Sequence, residues 1–358
     1  MLASVPYFKL SPQGRARVRD KFTPPGYIFY LVSIMLLFAL IVQYLFSASD
    51  AFRIYDAKWS VSGHIEQFVE QWAQRTGLGE YPSSFTRGIE PKPIHSHNDY
   101  WQKVPFYKAI SVGAISVEAD VYARDGDLLV AHEETALSPN RTFRSLYVNP
   151  LIETLERQNP KTKFVNDSRC GVFDEDCTQT LYLWVDLKTG VEETWPLVAA
   201  QLEPLRKRNW LTKWDGETII PGPVTVIGTG SANWETLIVN KTRPRDYFVD
   251  APLLSIGTES EQLDKDGKVP LYDHTSSPFA TTSLPAAVGY VRGQLSSKQL
   301  KKVEDLVKKA KDRGIKVRIW ETPGWSTKRR HNIWRQLMDI PVGLLNTDDL
   351  EDAAFGDW

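Results

Sequence analysis

The chain has no surplus of charge: 43 lysines and arginines stand against 44 acidic residues, for a formal net charge of −1. A nucleic-acid partner leaves a basic footprint, and none is present. Cysteine is nearly absent. Only Cys170 and Cys177 occur, in CGVFDEDC, and they have neither metal-pair spacing nor a histidine close by. A short-loop disulfide formed in an oxidising compartment is the expectation for them, with two free thiols as the alternative. Nucleotide fingerprints are missing too, since GTGSAN (228–233) follows a strand without the rest of a dinucleotide-binding motif. No internal repeat or low-complexity segment is found. Finally, no charged residue occurs from Phe22 to Ser49.

That uncharged stretch contains YIFYLVSIMLLFALIVQYLF. About 20 apolar residues in a helix span a bilayer core. Before it, Lys9, Arg15, Arg17, Arg19 and Lys21 face Asp20 alone, and Tyr27, Tyr30 and Tyr44 stand near its ends. Basic flanks stay cytoplasmic and aromatics favour the interface. Residues 1–25 are therefore expected to be a basic cytoplasmic tail and 26–47 a transmembrane signal anchor. A signal peptide cleaved near Ser47-Ala48-Ser49 is the alternative. The remainder would be lumenal or extracellular in the secretory pathway, with a mitochondrial membrane as the alternative location. Sequons at Asn140, Asn166 and Asn240 agree with exposure to a glycosylating compartment.

The body is 42% hydrophobic and 24% charged across the 358-residue chain, which suits a globule. Residues 48–92 read as a helical linker, with Ile65, Phe68, Val69 and Trp72 at helical spacing and His64 on a polar face. From 93 to 358, strand and helix alternate. The expected strands are KPIHSH, AISVEADVYA with the extension GDLLVAHE, TLYLWVDLKTG, GPVTVIGTG, RDYFVDAPL, a weaker PLYDHTS, IKVRIWETP and PVGLLNTDDL. The clearest helix is SSKQLKKVEDLVKKAKDRG. Such alternation predicts a parallel sheet covered by helices, and about eight strands suit a closed (β/α)8 TIM barrel. A doubly wound open sheet is the alternative.

Barrels place their chemistry where strands end. The polar residues at those points are His95, Glu118, Asp120, His132, Asp186, Lys188, Trp320, Glu321 and Asn346. Glu118 and Asp120 are two apart on one strand and share a face. Two carboxylates so placed repel unless a cation lies between them, and a hard divalent ion would serve, with Asp186 as a third ligand. Lys188 suits an anionic oxygen. A structural salt bridge from Lys188 to one carboxylate is the bland alternative. Two histidines at strand ends fit proton transfer to and from a phosphodiester.

The order HSHND, GAISVEADV, GDLLVAHE, WVDLK resembles the phosphodiesterase superfamily of PLC-like barrels, notably the glycerophosphodiester phosphodiesterases and spider-type sphingomyelinase D enzymes. The core from Ile94 to LLNTDDL is similar to the fungal altered inheritance of mitochondria protein 6 group. The resemblance implies a metal-dependent phosphoric diester hydrolase acting on a glycerophosphodiester or phospholipid headgroup. It implies His95 and His132 as the acid–base pair and Glu118, Asp120 and Asp186 as ligands of Mg2+ (or Ca2+). Lys188 would contact the phosphate and Trp320 would line the headgroup pocket. Two features depart from the glycerophosphodiester pattern: His95-Ser96-His97 stands where H-R-G is usual, removing a phosphate-contacting arginine, and His132-Glu133 replaces HD. The other readings are a non-catalytic binding barrel and a zinc hydrolase built on His95-x-His97, with His274 as a possible further ligand. The role of His97 is open at this point.

Overall fold

The computed structural model describes residues 30, 33–44, 71, 85–165, 168–238, 244–258, 263 and 272–358. The chain divides into two units, Met1–Glu80 and Tyr81–Trp358. In the first unit residues 33–44 are helical, with Met35, Leu36, Leu37, Phe38 and Leu40 exposed. Among the described residues no helix is long and apolar enough to cross a membrane. The rest of the 26–47 segment, the expected helix around Ile65–Trp72 apart from residue 71, and the sequons at Asn166 and Asn240 lie outside the described residues.

The second unit is a parallel-strand barrel. Its strands are β1 (Lys92–Ser96), β2 (Ala114–Arg124), β3 (Asp127–Val130), β4 (Leu181–Leu187), β5 (Lys213–Trp214), β6 (Ile219–Ile220), β7 (Val224–Gly230), β8 (Phe248–Val249), β9 (Ala251–Pro252), β10 (Phe279–Ser283), β11 (Lys316–Trp320) and β12 (Leu344–Thr347). The hydrogen-bonded path runs β8-β7-β4-β2-β1-β12-β11-β10-β9. Strands β8 and β9 are two halves of one segment broken at Asp250, the first half pairing with β7 and the second with β10. The path therefore returns on itself through that segment as eight parallel staves, closed but for the break.

The central staves are buried on both faces, so they read as near-continuous apolar runs. In β2 the first nine residues are buried, with Val117, Ala119 and Val121 fully enclosed on one face and Ser116, Glu118 and Asp120 on the other. Glu118 of the second set reaches Arg318 on β11 across the barrel, so this set points inward. Trp184, Phe248 and Phe279 are among the largest enclosed side chains. Outside the ring, Ser297–Lys311 is a helix for visible reasons. Ser296 and Gln299 form a reciprocal capping box, Val303, Val307 and Ala310 make the buried stripe, and three lysines occupy the last turn.

Two details refine the sequence reading. The GDLLVAHE extension is a strand of its own: β3 folds back antiparallel on β2 through Asp125-Gly126, both at positive φ, as a two-residue hairpin demands. The weak strand expected at PLYDHTS falls one segment too early. Described residues 272–278 are turn and coil, and the stave is Phe279–Ser283, FATTS. Phe279, Thr281 and Thr282 are strand formers, but five residues without an apolar run or a clean alternation do not stand out, and the five register pairs with β11 fix the strand. Cys170 and Cys177 form a disulfide, the pairing expected of them.

Candidate active site

Six of the predicted polar residues, Glu118, Asp120, His132, Asp186, Lys188 and Trp320, converge at one end of the barrel, while Glu321 and Asn346 line a neighbouring hollow. A cavity of about 310 Å3 is lined by His97, Asn98, Glu118, Asp120, His132, Asp186, Lys188, Thr229, Gly230, Asp250, Thr281, Arg318 and Trp320. Glu118 and Asp120 come from the inner face of β2, Asp186 and Lys188 from the end of β4, and Arg318 and Trp320 from β11. His132 sits just past the β2–β3 hairpin, which brings the chain back to the mouth.

One oxygen each from Glu118, Asp120 and Asp186 lie within 4.8 Å of one another. Three converging carboxylates suit a hard divalent cation. Burial and mutual repulsion raise Asp120 and Asp186, outweighing the opposing pull of Lys188. Lys188 Nζ lies 2.9 Å from both Asp120 Oδ2 and Asp186 Oδ2. Burial opposes its charge, but the two aspartates outweigh that and push its pKa up. Burial would also raise Glu118. Arg318, 3.3 Å away, together with His95 and His97, instead holds it well below the usual range. Among the described residues no histidine joins this carboxylate set, and the rings of His95 and His97 lie 6.5 Å apart, so the pair does not converge as a zinc site would require.

The three histidines of the reading take three different places. His95 is fully enclosed within β1 and does not line the cavity. Its Nδ1 meets Ser116 Oγ at 2.7 Å, its Nε2 stands 3.5 Å from Glu118, and its ring packs edge-on against Trp184. Burial, then Arg318, drives its pKa down to about 3. His97, one step past the strand, does line the cavity. Its Nδ1 is held by Asp348 Oδ1 at 2.8 Å, and its Nε2 faces Glu118 Oε2 at 3.8 Å. His132 is 45% exposed, with Nδ1 3.1 Å from Asp120 Oδ2 and Trp101 against its ring.

The β1 loop is held rigidly enough to present these groups. Asp99 accepts from Ser96 Oγ and from the Phe106 backbone N–H, both at 2.6 Å. Asn98 adopts a left-handed backbone, which asparagine tolerates, and its N–H donates to Glu118. The Tyr100 hydroxyl donates to Asp120 Oδ2 at 2.6 Å and stands 3.1 Å from His132 Nδ1. Across the cavity, Gly230 is required by space: a Cβ there would fall 2.0 Å from Asp186 Oδ1, at φ +69. In the break between β8 and β9, Asp250 Oδ2 accepts from Thr281 (2.5 Å) and Thr229 (3.2 Å). Burial brings this carboxyl up to about 7.

Sequence reasoning did not single out Tyr100, Arg318, Asp348, Gly230 or Asp250. A signal existed for two of them. Arg318 is two residues before Trp320 and Asp348 two after Asn346, the same period of two that selected Glu118 and Asp120. Trp320 lines the cavity as expected, and Asn140 is exposed in a turn.

Residues 83–250 match the model of the AIM6-like phosphodiesterase domain. The altered inheritance of mitochondria protein 6 homolog of Arthroderma benhamiae is 44% identical over 291 residues, covering 78% of this chain and 88% of that protein. The altered inheritance of mitochondria protein 6 of Saccharomyces cerevisiae is 32% identical over 290 residues, covering 76% and 72%. Among solved structures, a glycerophosphodiester phosphodiesterase from Parabacteroides distasonis aligns with a TM-score of 0.38 at 14% identity, over 74% of this chain and 96% of that one.

Proposed function

The chain belongs to the altered inheritance of mitochondria protein 6 family, and from that premise we propose that it is a metal-dependent phosphoric diester hydrolase acting on a glycerophosphodiester or phospholipid headgroup. The phosphodiesterase domain match supports the reaction class. The observation that carries the rest is a single cavity joining a carboxylate triad, a lysine and two imidazoles, each anchored at Nδ1 by a carboxylate.

Glu118, Asp120 and Asp186 would hold Mg2+ or Ca2+, whose chemistry is to neutralise and polarise a phosphoryl oxygen. The protein's own groups handle the protons. Asp348 fixes His97 through Nδ1, and Asp120 does the same for His132, so each ring keeps Nε2 for transfer. One takes the proton of the attacking hydroxyl and the other returns a proton to the leaving oxygen. Supported by its place in the cavity, His97 takes the part that the resemblance gave to His95. Trp320 offers an apolar wall for the substrate's organic portion.

The test is turnover of a panel of glycerophosphodiesters and lysolipids with Mg2+, Ca2+ or chelator. Activity with metal, lost on chelation and in His97→Ala and His132→Ala, is the expected result; metal-independent turnover unchanged in both variants would refute the mechanism. For location, we read the N-terminal run as a single-pass anchor with the barrel lumenal or extracellular. The disulfide and the exposed Asn140 sequon support this. A protease-accessible, unglycosylated barrel on the cytoplasmic face would contradict it.

A further inference from the structure

The cavity holds two cations, and they are not equivalent. Lys188 is bracketed at 2.9 Å by Asp120 and Asp186, so two of its three donors are taken. Arg318 is built differently. Its side chain is 5% exposed. Its Nε donates to Asn346 Oδ1 at 2.8 Å and its Nη2 to Glu118 Oε1 at 3.3 Å. The guanidinium lies over the Trp184 ring, 4.7 Å from its centroid. These three contacts, from β12, β2 and β4, fix the plane of the group. The remaining nitrogen, Nη1, makes no hydrogen bond to a described residue, and Arg318 lines the cavity.

A buried guanidinium held in one plane with an edge left unbonded in a cavity is a preorganised anion donor. Had the group served only Glu118, a carboxylate placed to receive both amino groups would satisfy it; here Nη2 alone reaches Glu118. We propose that Arg318 binds a non-bridging oxygen of the substrate phosphate through Nη1, while Nη2 stays on Glu118. This rests on the phosphodiesterase reading above for its substrate, though not for its anion chemistry. It also supplies, from β11, a cationic phosphate contact in a chain whose first histidine is not followed by arginine.

The experiment uses the full chain with excess Mg2+ and inorganic phosphate as the probe, read by calorimetry, alongside phosphodiester turnover. Arg318→Met removes the cation. Arg318→Lys keeps a charge against Glu118 but has no planar fork, and guards against misfolding of the first variant. The expected result is phosphate binding in the wild type, weakened about 10- to 100-fold in both variants. With it should come a loss of about 10²–10³-fold in kcat/KM that excess metal does not restore. If either folded variant merely needs more Mg2+ and then binds phosphate and turns over like the wild type, Arg318 serves only Glu118 and the proposal fails. If the wild type binds phosphate in an Arg318-dependent manner yet cleaves no phosphodiester, the anion site stands and the catalytic reading falls. Absence of phosphate binding in the wild type at millimolar concentration overturns the site itself.

Discussion

Replacing His95 and His97 separately by glutamine should give two qualitatively different enzymes. His95 is fully enclosed, with a pKa near 3. Holding a proton on it at pH 7 costs about 5 kcal/mol, a population of roughly one in 10⁴, and as a base it is correspondingly feeble. It does not line the cavity. What it does touch is Glu118, at 3.5 Å. Removing a partner that orients a metal ligand typically costs 10- to 100-fold in metal affinity, roughly 1.4–2.8 kcal/mol. His95→Gln should therefore move the Mg2+ half-saturation upward by that factor, with kcat recovering at high metal. His97, in contrast, presents Nε2 to the cavity with Nδ1 held by Asp348. Loss of a general acid or base costs about 10²–10⁴-fold in rate, which no metal concentration restores. The assay is initial rate against Mg2+ at several pH values, with thermal unfolding confirming both folds. His97→Gln should lose one limb of the pH–rate profile and His95→Gln should keep both. If His95→Gln loses 10²-fold or more at saturating metal and flattens a limb, the enclosed histidine transfers the proton and the assignment is wrong.

Asp348→Asn should lower kcat about 10²-fold or more with little change in KM, because the amide no longer enforces the His97 tautomer; a change confined to KM would place Asp348 in binding instead. Gly230→Ala puts a methyl group 2.0 Å from Asp186 Oδ1 and should weaken Mg2+ binding at least tenfold while the barrel still melts cooperatively; wild-type metal affinity would mean the β7 end yields freely. Two buried groups should tilt stability against pH in opposite directions, measurable by urea titration from pH 3.5 to 7.5. Asp99, raised from 3.8 to about 6 by burial, contributes stability that is full below its unfolded pKa and is lost as pH rises through about 6, worth about 3 kcal/mol. His95, lowered from 6.5, contributes stability that is full above 6.5 and is lost as pH falls toward 3. Asp99→Asn should remove only the first slope and His95→Gln only the second; unaltered slopes in both would mean the burial costs are relaxed in solution.

What could be read in the sequence was whatever a single strand carries within itself. Period two put Glu118 and Asp120 on one face, and the strand end at Leu187 put Asp186 and Lys188 beside them. Arg318 obeys the same period with Trp320, yet an arginine in KVRIW has no local mark of burial. Its meaning comes from Glu118, 200 residues away and reached only when the ring closes. FATTS is obscure for a similar reason: it has strand formers but no apolar pattern, and its place in the ring is settled by pairing with β11 and β9 on either side. The break at Asp250 is likewise a property of the closed ring, because β7 and β10 each pair with only half of that segment. The histidines are the sharpest case. HSH presents two imidazoles of equal chemical promise two residues apart on one face, and local pattern does not rank them. The ranking is made by where β1 stops. The strand ends at Ser96, so His95 is still a stave residue, shut in by Ser116, Trp184 and Arg318, while His97 is already loop and meets the cavity. One residue of strand length therefore separates an enclosed imidazole beside Glu118 from one that meets the cavity. Strand ends are the least certain feature of any sequence reading, so the set of elements can be legible while the placement of two neighbouring imidazoles relative to the cavity is not.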